Sequence, residues 1–273
     1  MNDVAAATRP DPAMVRRLGQ GPRPALMIHC SLAHSGEWSA LAERLGDRLH
    51  MVAFDLPGHG RAPDWQPGSD IAAVALESAV PLAEAEDGPV DLVGHSFGAV
   101  VALRLALERP DLVRTLTLIE PTLFAAARAA GAPEAVGHED EMRPLQAALE
   151  AGDAEGAARM FIADWGTGQS WEATPEAQRR YFAERIHLIL ASEPVLWHDS
   201  GNLLAPGRLE GLEMPVLLLE GGDSPPIITA IARELARRLK RVTRVTVPGA
   251  THMLPVTHPD AVAAAIGVHL TRG

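Results

Sequence analysis

The stretch VDLVGHSFGA, residues 90–99, places Ser96 between two glycines, each two positions away, directly after an apolar run of strand length. A residue at the tip of a tight strand-to-helix turn is held in strained backbone geometry, and small neighbours let the strand and the helix pass close together. Gly94 and Gly98 meet that need. The pattern predicts a nucleophile elbow in which the Ser96 hydroxyl attacks and the backbone N–H of Phe97 helps to hold an oxyanion.

Apolar runs of strand length alternate with helical patterns along most of the chain. The expected strands cover residues 25–29, 50–54, 90–93, 114–119, 215–219 and 244–247, and the expected helices cover 37–45, 71–86, 97–108, 227–240 and 259–270. Strands that are apolar on both faces and that alternate with helices predict a parallel sheet covered by helices on each side. The right-handed crossover rule makes this α/β sheet doubly wound.

The rhythm changes between Pro121 and about Pro206, where helical patterns occur over 141–151, 154–165 and 176–190 without a convincing strand. A structureless loop of that length is implausible in a compact domain. We therefore predict a helical cap insertion over one end of the sheet. The α/β core would be residues 1–121 and 206–273, and the cap would be residues 122–205.

Two tryptophans of this insertion, Trp165 and Trp197, are candidate substrate contacts. Ordinary packing is the favoured explanation for such side chains, because large aromatic groups are common in any apolar interior. A substrate cavity lined by the cap is the alternative.

Composition excludes several classes of protein. A formal net charge of −11 and a pI near 5.4 oppose binding to nucleic-acid phosphates or to an anionic membrane surface. The first residues, MNDVAAATRPDPAM, lack the cationic start and apolar stretch of a secretory signal, and no segment approaches the length of a membrane span. We expect a cytoplasmic protein that acts on a small molecule, and the oligomeric state stays open.

Metal and cofactor sites also lack sequence support. Cys30 is the single cysteine, so an internal disulfide and a thiolate cluster are excluded. The histidines do not fall at metal-ligand spacings, and the glycine-rich phosphate signatures are missing. We expect no metal and no cofactor.

From about Ala25 to its C-terminus the chain resembles the α/β-hydrolase family. The resemblance is carried by GHSFG together with MIHCSLAHSGEW, FDLPGHGRA, PVLLLEGG and PGATHMLPVTHP, in the order that this family shows. It implies the α/β-hydrolase fold, an eight-stranded sheet and a catalytic triad. Residues 1–24 are short and rich in proline for the first two of those strands, so we expect these strands to be curtailed or lost.

The resemblance assigns the general base to His252, in PGATHML, after the last strand and before the last helix. A serine hydroxyl is a poor nucleophile until a base accepts its proton. His258 and His269 are weaker candidates by position. In this reading His59 belongs to a structural turn, as does Asp55 of the same FDLPGHG motif, and His95 points sideways into packing.

Two carboxylates compete to be the acid of the triad. The family most often carries it in G-x-x-D after the strand PVLLL, but this chain reads GGDS there, with Asp223 one residue early and Ser224 at the expected place. Glu120 ends the run LTLIEP, where some family members, certain haloalkane dehalogenases among them, carry their acid. A carboxylate at the end of a buried strand is costly unless it is paired. We favour Glu120 and keep Asp223 as the alternative.

The second oxyanion donor is expected in the turn after ALMIH, where the family usually reads His-Gly and this chain reads His-Cys-Ser. The resemblance assigns the donor N–H to Ser31. Cys30 is expected to be a small buried thiol rather than a nucleophile. Leu32 and His34, in the same loop, are candidate substrate contacts, and a merely solvated role fits His34 equally well.

Together these residues predict acyl transfer on a small to medium, partly apolar ester, without a cofactor. The same residues could serve a C–C hydrolase, a lactonase, a thioesterase or a perhydrolase, because fold and triad do not fix the substrate. A serine at the elbow argues against haloalkane dehalogenase and epoxide hydrolase chemistry. The rival from another class is a ligand-binding protein that keeps the same scaffold without efficient turnover. Two departures from the family pattern favour this alternative: the irregular position of the acid, and Cys30 in place of glycine.

Overall fold

A seven-stranded sheet forms the centre of the fold in the computed structural model, which describes residues 10–273. The strands are β1 (Val15–Leu18), β2 (Arg23–Ile28), β3 (Leu49–Phe54), β4 (Val90–His95), β5 (Val113–Ile119), β6 (Val216–Gly221) and β7 (Val242–Val247). Their order is β1-β3-β2-β4-β5-β6-β7, and every neighbouring pair is parallel except β1 with β3. The predicted doubly wound, mostly parallel α/β sheet is confirmed.

Helices cover both faces of this sheet. The α-helices of the described residues are α1 (Ser39–Leu45), α2 (Ile71–Glu84), α3 (Phe97–Glu108), α4 (Phe124–Ala129), α5 (Pro133–Glu150), α6 (Ala154–Trp165), α7 (Glu176–Arg185), α8 (His187–His198), α9 (Pro226–Arg238), α10 (Leu254–Thr257) and α11 (Pro259–His269), of which α1, α2, α3, α9 and α11 pack on the sheet. Alternate side chains of a strand point to opposite faces. Leu26 and Ile28 accordingly join a core with α2, α3 and α9, while Ala25 and Met27 join a core with α1 and α11.

The chain between β5 and β6 is helical, and within the described residues it contributes no strand to the sheet. The prediction of one helix over 176–190 is wrong, because α7 ends at Arg185 and α8 begins at His187, with the buried Ile186 between them. Helix α5 begins at Pro133, eight residues before the predicted start at 141. Its polar first turns hide the apolar period, although proline at the first helical position is itself a start signal.

Of the two N-terminal strands that the family resemblance led us to expect as curtailed or lost, one is present in shortened form. It is β1, whose four residues pair antiparallel with β3. No strand precedes it among residues 10–273, and residues 1–9 of the predicted core segment lie outside the described part of the chain. Over that same part, no helix combines the length and the apolar character that crossing a membrane requires.

Candidate active site

Ser96 stands at the junction of β4 and α3 with φ 57° and ψ −120°, a conformation that L-residues rarely adopt. A Cβ on Gly94 would lie 2.3 Å from the carbonyl oxygen of Gly98, and one on Gly98 would lie 2.3 Å from the carbonyl oxygens of Ile28 and His29. Only glycine fits at these two positions. The glycines therefore let β4, α3 and the end of β2 converge around the serine.

The imidazole of His252 is paired with Glu120. Nδ1 of His252 lies 3.0 Å from Oε2 of Glu120, and both side chains are buried. The other carboxylate oxygen, Oε1, accepts the backbone N–H of Gly221 at 2.6 Å and the hydroxyl of Ser224 at 2.9 Å. The buried carboxylate is thus hydrogen-bonded through both oxygens, which offsets the cost of its burial.

Asp223 lies apart from this pair. It is exposed, and among the described residues no hydrogen bond is formed by its carboxylate. Ser224, at the position where the resemblance expects an acid, instead donates to Glu120. The geometry brings Glu120, and not Asp223, to the ring of His252.

The protonation state of His252 follows from its surroundings. Burial lowers the pKa of His252, and this effect outweighs the Glu120 carboxylate, which raises it. The neutral ring carries a single N–H. Because Nδ1 faces the carboxylate of Glu120, which can only accept, this N–H is on Nδ1. Nε2 therefore presents a lone pair, as a general base must.

Ser96 and His252 line the same cavity. Within the described residues no hydrogen bond joins the Ser96 hydroxyl to the His252 ring. Such bonds between a nucleophile and its base are often long or misaligned before substrate binds, so apo geometry does not exclude a base.

The loop after β2 faces the elbow. The backbone N–H of Cys30 donates to Oε2 of Glu37 at 3.0 Å, whereas the N–H groups of Ser31 and Phe97 have no acceptor in the part of the chain that is described. Leu32 has φ 61°, so this turn is strained as well. The loop after β2 and the start of α3 thus each carry one backbone amide without an acceptor in the described residues.

His95 is buried as expected, and its ring takes part in a polar network. Its Nδ1 lies 2.5 Å from Oε1 of Glu37, and its Nε2 lies 2.9 Å from the backbone carbonyl oxygen of His252. A carbonyl can only accept, so Nε2 carries a hydrogen. Burial lowers the pKa of His95, yet Glu37 outweighs it and the pKa is raised. Burial raises the pKa of Glu37, and His95 outweighs that effect and lowers it. The two form an imidazolium–carboxylate pair.

Glu37 is a site residue that the sequence did not reveal. Its signal is weak, because a glutamate at the start of a helix is usually a solvated group. Cys30, Glu37 and His95 bring donor atoms within 4.8 Å of one another, which is a metal-like spacing. Burial raises the pKa of the Cys30 thiol well above its usual value, and the other two side chains are already engaged with each other. The group is a hydrogen-bond network and a poor ligand set.

A cavity of ≈ 570 Å³ opens above Ser96 and His252. Its walls are largely apolar and come from α6, α7 and the His252 loop: Phe161, Ile162, Trp165, Phe182, Met253 and Val256. Leu32 and His34 line it too. The Trp165 ring meets that of His252 edge-on, with centroids 4.6 Å apart. A small apolar substrate fits such a space.

Trp197 does not line either of the cavities that Ser96 borders among residues 10–273. Its ring instead packs on Phe124, with centroids 4.8 Å apart, and stacks on His138 at 5.9 Å. These contacts agree with the packing explanation for Trp197, and the cavity linings give no support to its expected contact with substrate.

Two further contacts fasten the loops around the site. Asp55 accepts hydrogen bonds from the backbone N–H groups of Ser35 and Arg61, so it orders the FDLPGHG turn as expected.

The hydroxyl of Tyr181, on α7, donates a hydrogen bond to the carbonyl oxygen of Ala33 at 2.8 Å. This bond joins α7 to the loop that carries Ser31, and no sequence motif predicts it.

The chain as a whole is similar to known hydrolases. The model of the Alpha/beta hydrolase family matches residues 25–265. The pimeloyl-[acyl-carrier protein] methyl ester esterase of Methylococcus capsulatus is 32% identical over 258 residues, covering 91% of this chain and 94% of that protein. The (E)-2-((N-methylformamido)methylene)succinate hydrolase of Acinetobacter baylyi is 26% identical over 261 residues, covering 91% and 90%. The crystal structure of a hydrolase from Pseudomonas aeruginosa has a TM-score of 0.73 at 23% identity and covers 94% of this chain and 93% of its own, which shows the shared fold.

Proposed function

The chain belongs to the α/β-hydrolase family, and on that premise we propose that it is a serine hydrolase which cleaves a small to medium, partly apolar ester or related acyl compound through an acyl-enzyme intermediate. The observation that carries the proposal is the 3.0 Å contact of Glu120 with His252, which lines the same cavity as Ser96. The esterase relative, which acts on a methyl ester by its name, supports an ester substrate.

In the first half of the reaction the Ser96 hydroxyl adds to the carbonyl carbon, and Nε2 of His252 takes its proton. The imidazolium that forms keeps its Nδ1–H on Glu120, whose charge stabilises it. The carbonyl oxygen becomes an oxyanion and accepts hydrogen bonds from the N–H groups of Ser31 and Phe97. His252 then returns the proton to the leaving oxygen, and the carbon–oxygen bond breaks.

The second half repeats these steps with water. Nε2 of His252 removes a proton from a water molecule as the water oxygen adds to the acyl carbon, and it then returns that proton to Ser96 as the acid product leaves. In this scheme no cofactor takes part. The pKa of His252, lowered by burial, keeps the ring neutral and ready to accept a proton near neutral pH.

Helices α4 to α8 are the cap in this proposal. Residues 122–205 cover the elbow and supply Trp165 as a wall of the cavity, while residues 1–121 and 206–273 carry the catalytic groups. Leu32 and His34 contact substrate from the core side. The hydrolase relatives and the buried, fully hydrogen-bonded Glu120 favour an enzyme over a ligand-binding protein on this scaffold.

The test uses a fluorophosphonate probe, which labels an activated serine, together with p-nitrophenyl esters of short to medium acyl chains. Labelling and hydrolysis should be lost in Ser96→Ala, with turnover lower by about 10⁴-fold or more. Ser200→Ala is the matched control, because it removes the hydroxyl of an exposed serine that lines neither cavity beside Ser96, and it should keep both labelling and turnover. A wild-type protein that is neither labelled nor active on any of these esters would overturn the proposal.

A further inference from the structure

A second, smaller cavity borders Ser96. It measures ≈ 40 Å³, and Ser31 and Ser96 line it as they line the large cavity. His252 lines only the large one. The small cavity lies against α4, α5 and α8 and includes Thr122, Phe124, His138, Trp165, Ser192 and Leu196. The nucleophile and one proposed oxyanion donor thus stand where the two cavities meet.

This arrangement suits an ester whose leaving group lies in one cavity and whose acyl group lies in the other. The base must return its proton to the leaving atom, so the leaving group has to lie where His252 can reach it. Among these two spaces that is the large, apolar one. The acyl side of the same carbonyl is then directed into the small cavity.

Two side chains that line the small cavity each carry a buried polar atom with no hydrogen-bond partner among residues 10–273: Oγ1 of Thr122 and Nε2 of His138. Thr122 is 4% exposed and His138 is 5% exposed. Buried polar atoms are nearly always hydrogen-bonded, because water that is stripped from them must be replaced. Two such atoms in one cavity beside a nucleophile point to a ligand that bonds to them.

The two atoms offer complementary chemistry. Burial lowers the pKa of His138, so its ring is neutral, and its Nδ1 lies 3.3 Å from Oε2 of Glu141. The N–H of the neutral ring is therefore on Nδ1, and Nε2 accepts. The hydroxyl of Thr122 can donate. A group that both accepts and donates, such as a hydroxyl, satisfies the pair.

Other groups fit less well. Among the described residues the small cavity is lined by no lysine or arginine, so a carboxylate on the substrate would find no cation to pair with there. A purely apolar acyl chain would leave both polar atoms unbonded. The small volume excludes a long chain.

We propose that the small cavity binds the acyl side of the substrate and selects short acyl groups that carry a hydroxyl, held between Thr122 and His138. The inference rests on the serine-hydrolase function proposed above.

The experiment compares kcat/KM for the p-nitrophenyl esters of butyric, 2-hydroxybutyric and 3-hydroxybutyric acids. The wild-type protein should prefer one of the hydroxy esters over the butyrate by about 10-fold or more, because the butyrate leaves buried polar atoms unbonded. Thr122→Val, which keeps the shape of the side chain, and His138→Phe, which keeps a ring, should each bring that ratio down towards one. Thr122→Ser retains the hydroxyl and should retain the preference.

The control is Thr271→Val, a change of the same kind at an exposed threonine near the C-terminus, which should keep the wild-type ratio. A wild-type preference for the butyrate, or a ratio that neither Thr122→Val nor His138→Phe alters, would overturn the inference while the esterase proposal stands. Absence of both probe labelling and hydrolysis of every ester would overturn the two together.

Discussion

The ring of His95 donates a hydrogen bond from Nε2 to the backbone carbonyl oxygen of His252 over 2.9 Å. Through Nδ1 the same ring is paired with Glu37, which also accepts the backbone N–H of Cys30. The loop after β2 and the loop after β7 are thereby joined through a side chain adjacent to Ser96. One buried ion pair thus contacts both the residue proposed as the base and the loop that carries the proposed oxyanion donor Ser31.

Replacement of His95 by phenylalanine tests this connection. His95→Phe keeps a ring of similar size but leaves the Glu37 carboxylate buried without its partner, so the free energy of unfolding should fall by about 3–5 kcal/mol. The double variant Glu37→Gln/His95→Phe should regain part of that stability, since no buried charge remains. Its kcat/KM should stay low, because nothing then holds the His252 carbonyl. Urea unfolding and ester hydrolysis measure the two quantities.

Two outcomes would contradict this account. If His95→Phe unfolds at the same urea concentration as the wild-type protein, the pair does not carry a buried charge. If the double variant hydrolyses ester at the wild-type rate, the position of His252 does not depend on His95.

The acid of the triad is tested by a pair of isosteric changes. Glu120→Gln keeps the size of the side chain but removes the charge that stabilises the His252 imidazolium, so kcat should fall by about 10³- to 10⁴-fold. Asp223→Asn is the matched control at the exposed alternative, and it should leave kcat within about 2-fold of wild type. The reverse pattern, with a severe Asp223 variant and a mild Glu120 variant, would move the assignment to Asp223.

The pH dependence of kcat/KM follows from the lowered pKa of His252. A general base works when neutral, so activity should rise with pH as the ring loses its proton. Because burial lowers the pKa of His252 from its ordinary value of 6.5, the midpoint of this acidic limb should lie below 6.5. Glu120 acts in the opposite sense, so the residual activity of Glu120→Gln should have its midpoint at still lower pH. An acidic limb centred above 6.5 in the wild-type protein would contradict this environment for His252.

The fold was predictable because its signals are local. Apolar runs identify buried parallel strands wherever they lie in the chain, and the strand expected over 90–93 is the start of β4. The two glycines around Ser96 report the close approach of β4 and α3 in the same way. Residue type and spacing suffice for both features.

The arrangement of the acid could not be fixed by the same means. Glu120 and Asp223 follow neighbouring strands, β5 and β6, at the same edge of the sheet, so sequence position leaves both within range of His252. The choice depends on the direction of one side chain and on its bonds to Gly221 and Ser224. Glu37 and His95 are 58 positions apart, and neither residue type predicts a buried pair.

The Ser224 hydroxyl lies 2.9 Å from Oε1 of Glu120, and this contact predicts that the acid can be moved to the other strand. Glu120→Asn removes the long acid, and asparagine tolerates the φ of 49° at this position. Ser224→Asp then extends a carboxylate into the space that Glu120 leaves beside His252. The double variant should show kcat about 10-fold or more above that of Glu120→Asn, since a charge again stabilises the imidazolium. Ser224→Asp alone should lower stability, because two carboxylates would then face each other at short distance. A folded double variant that is no more active than Glu120→Asn would mean that a carboxylate at position 224 cannot reach Nδ1 of His252. The acid that follows β5 could then not be replaced by one that follows β6.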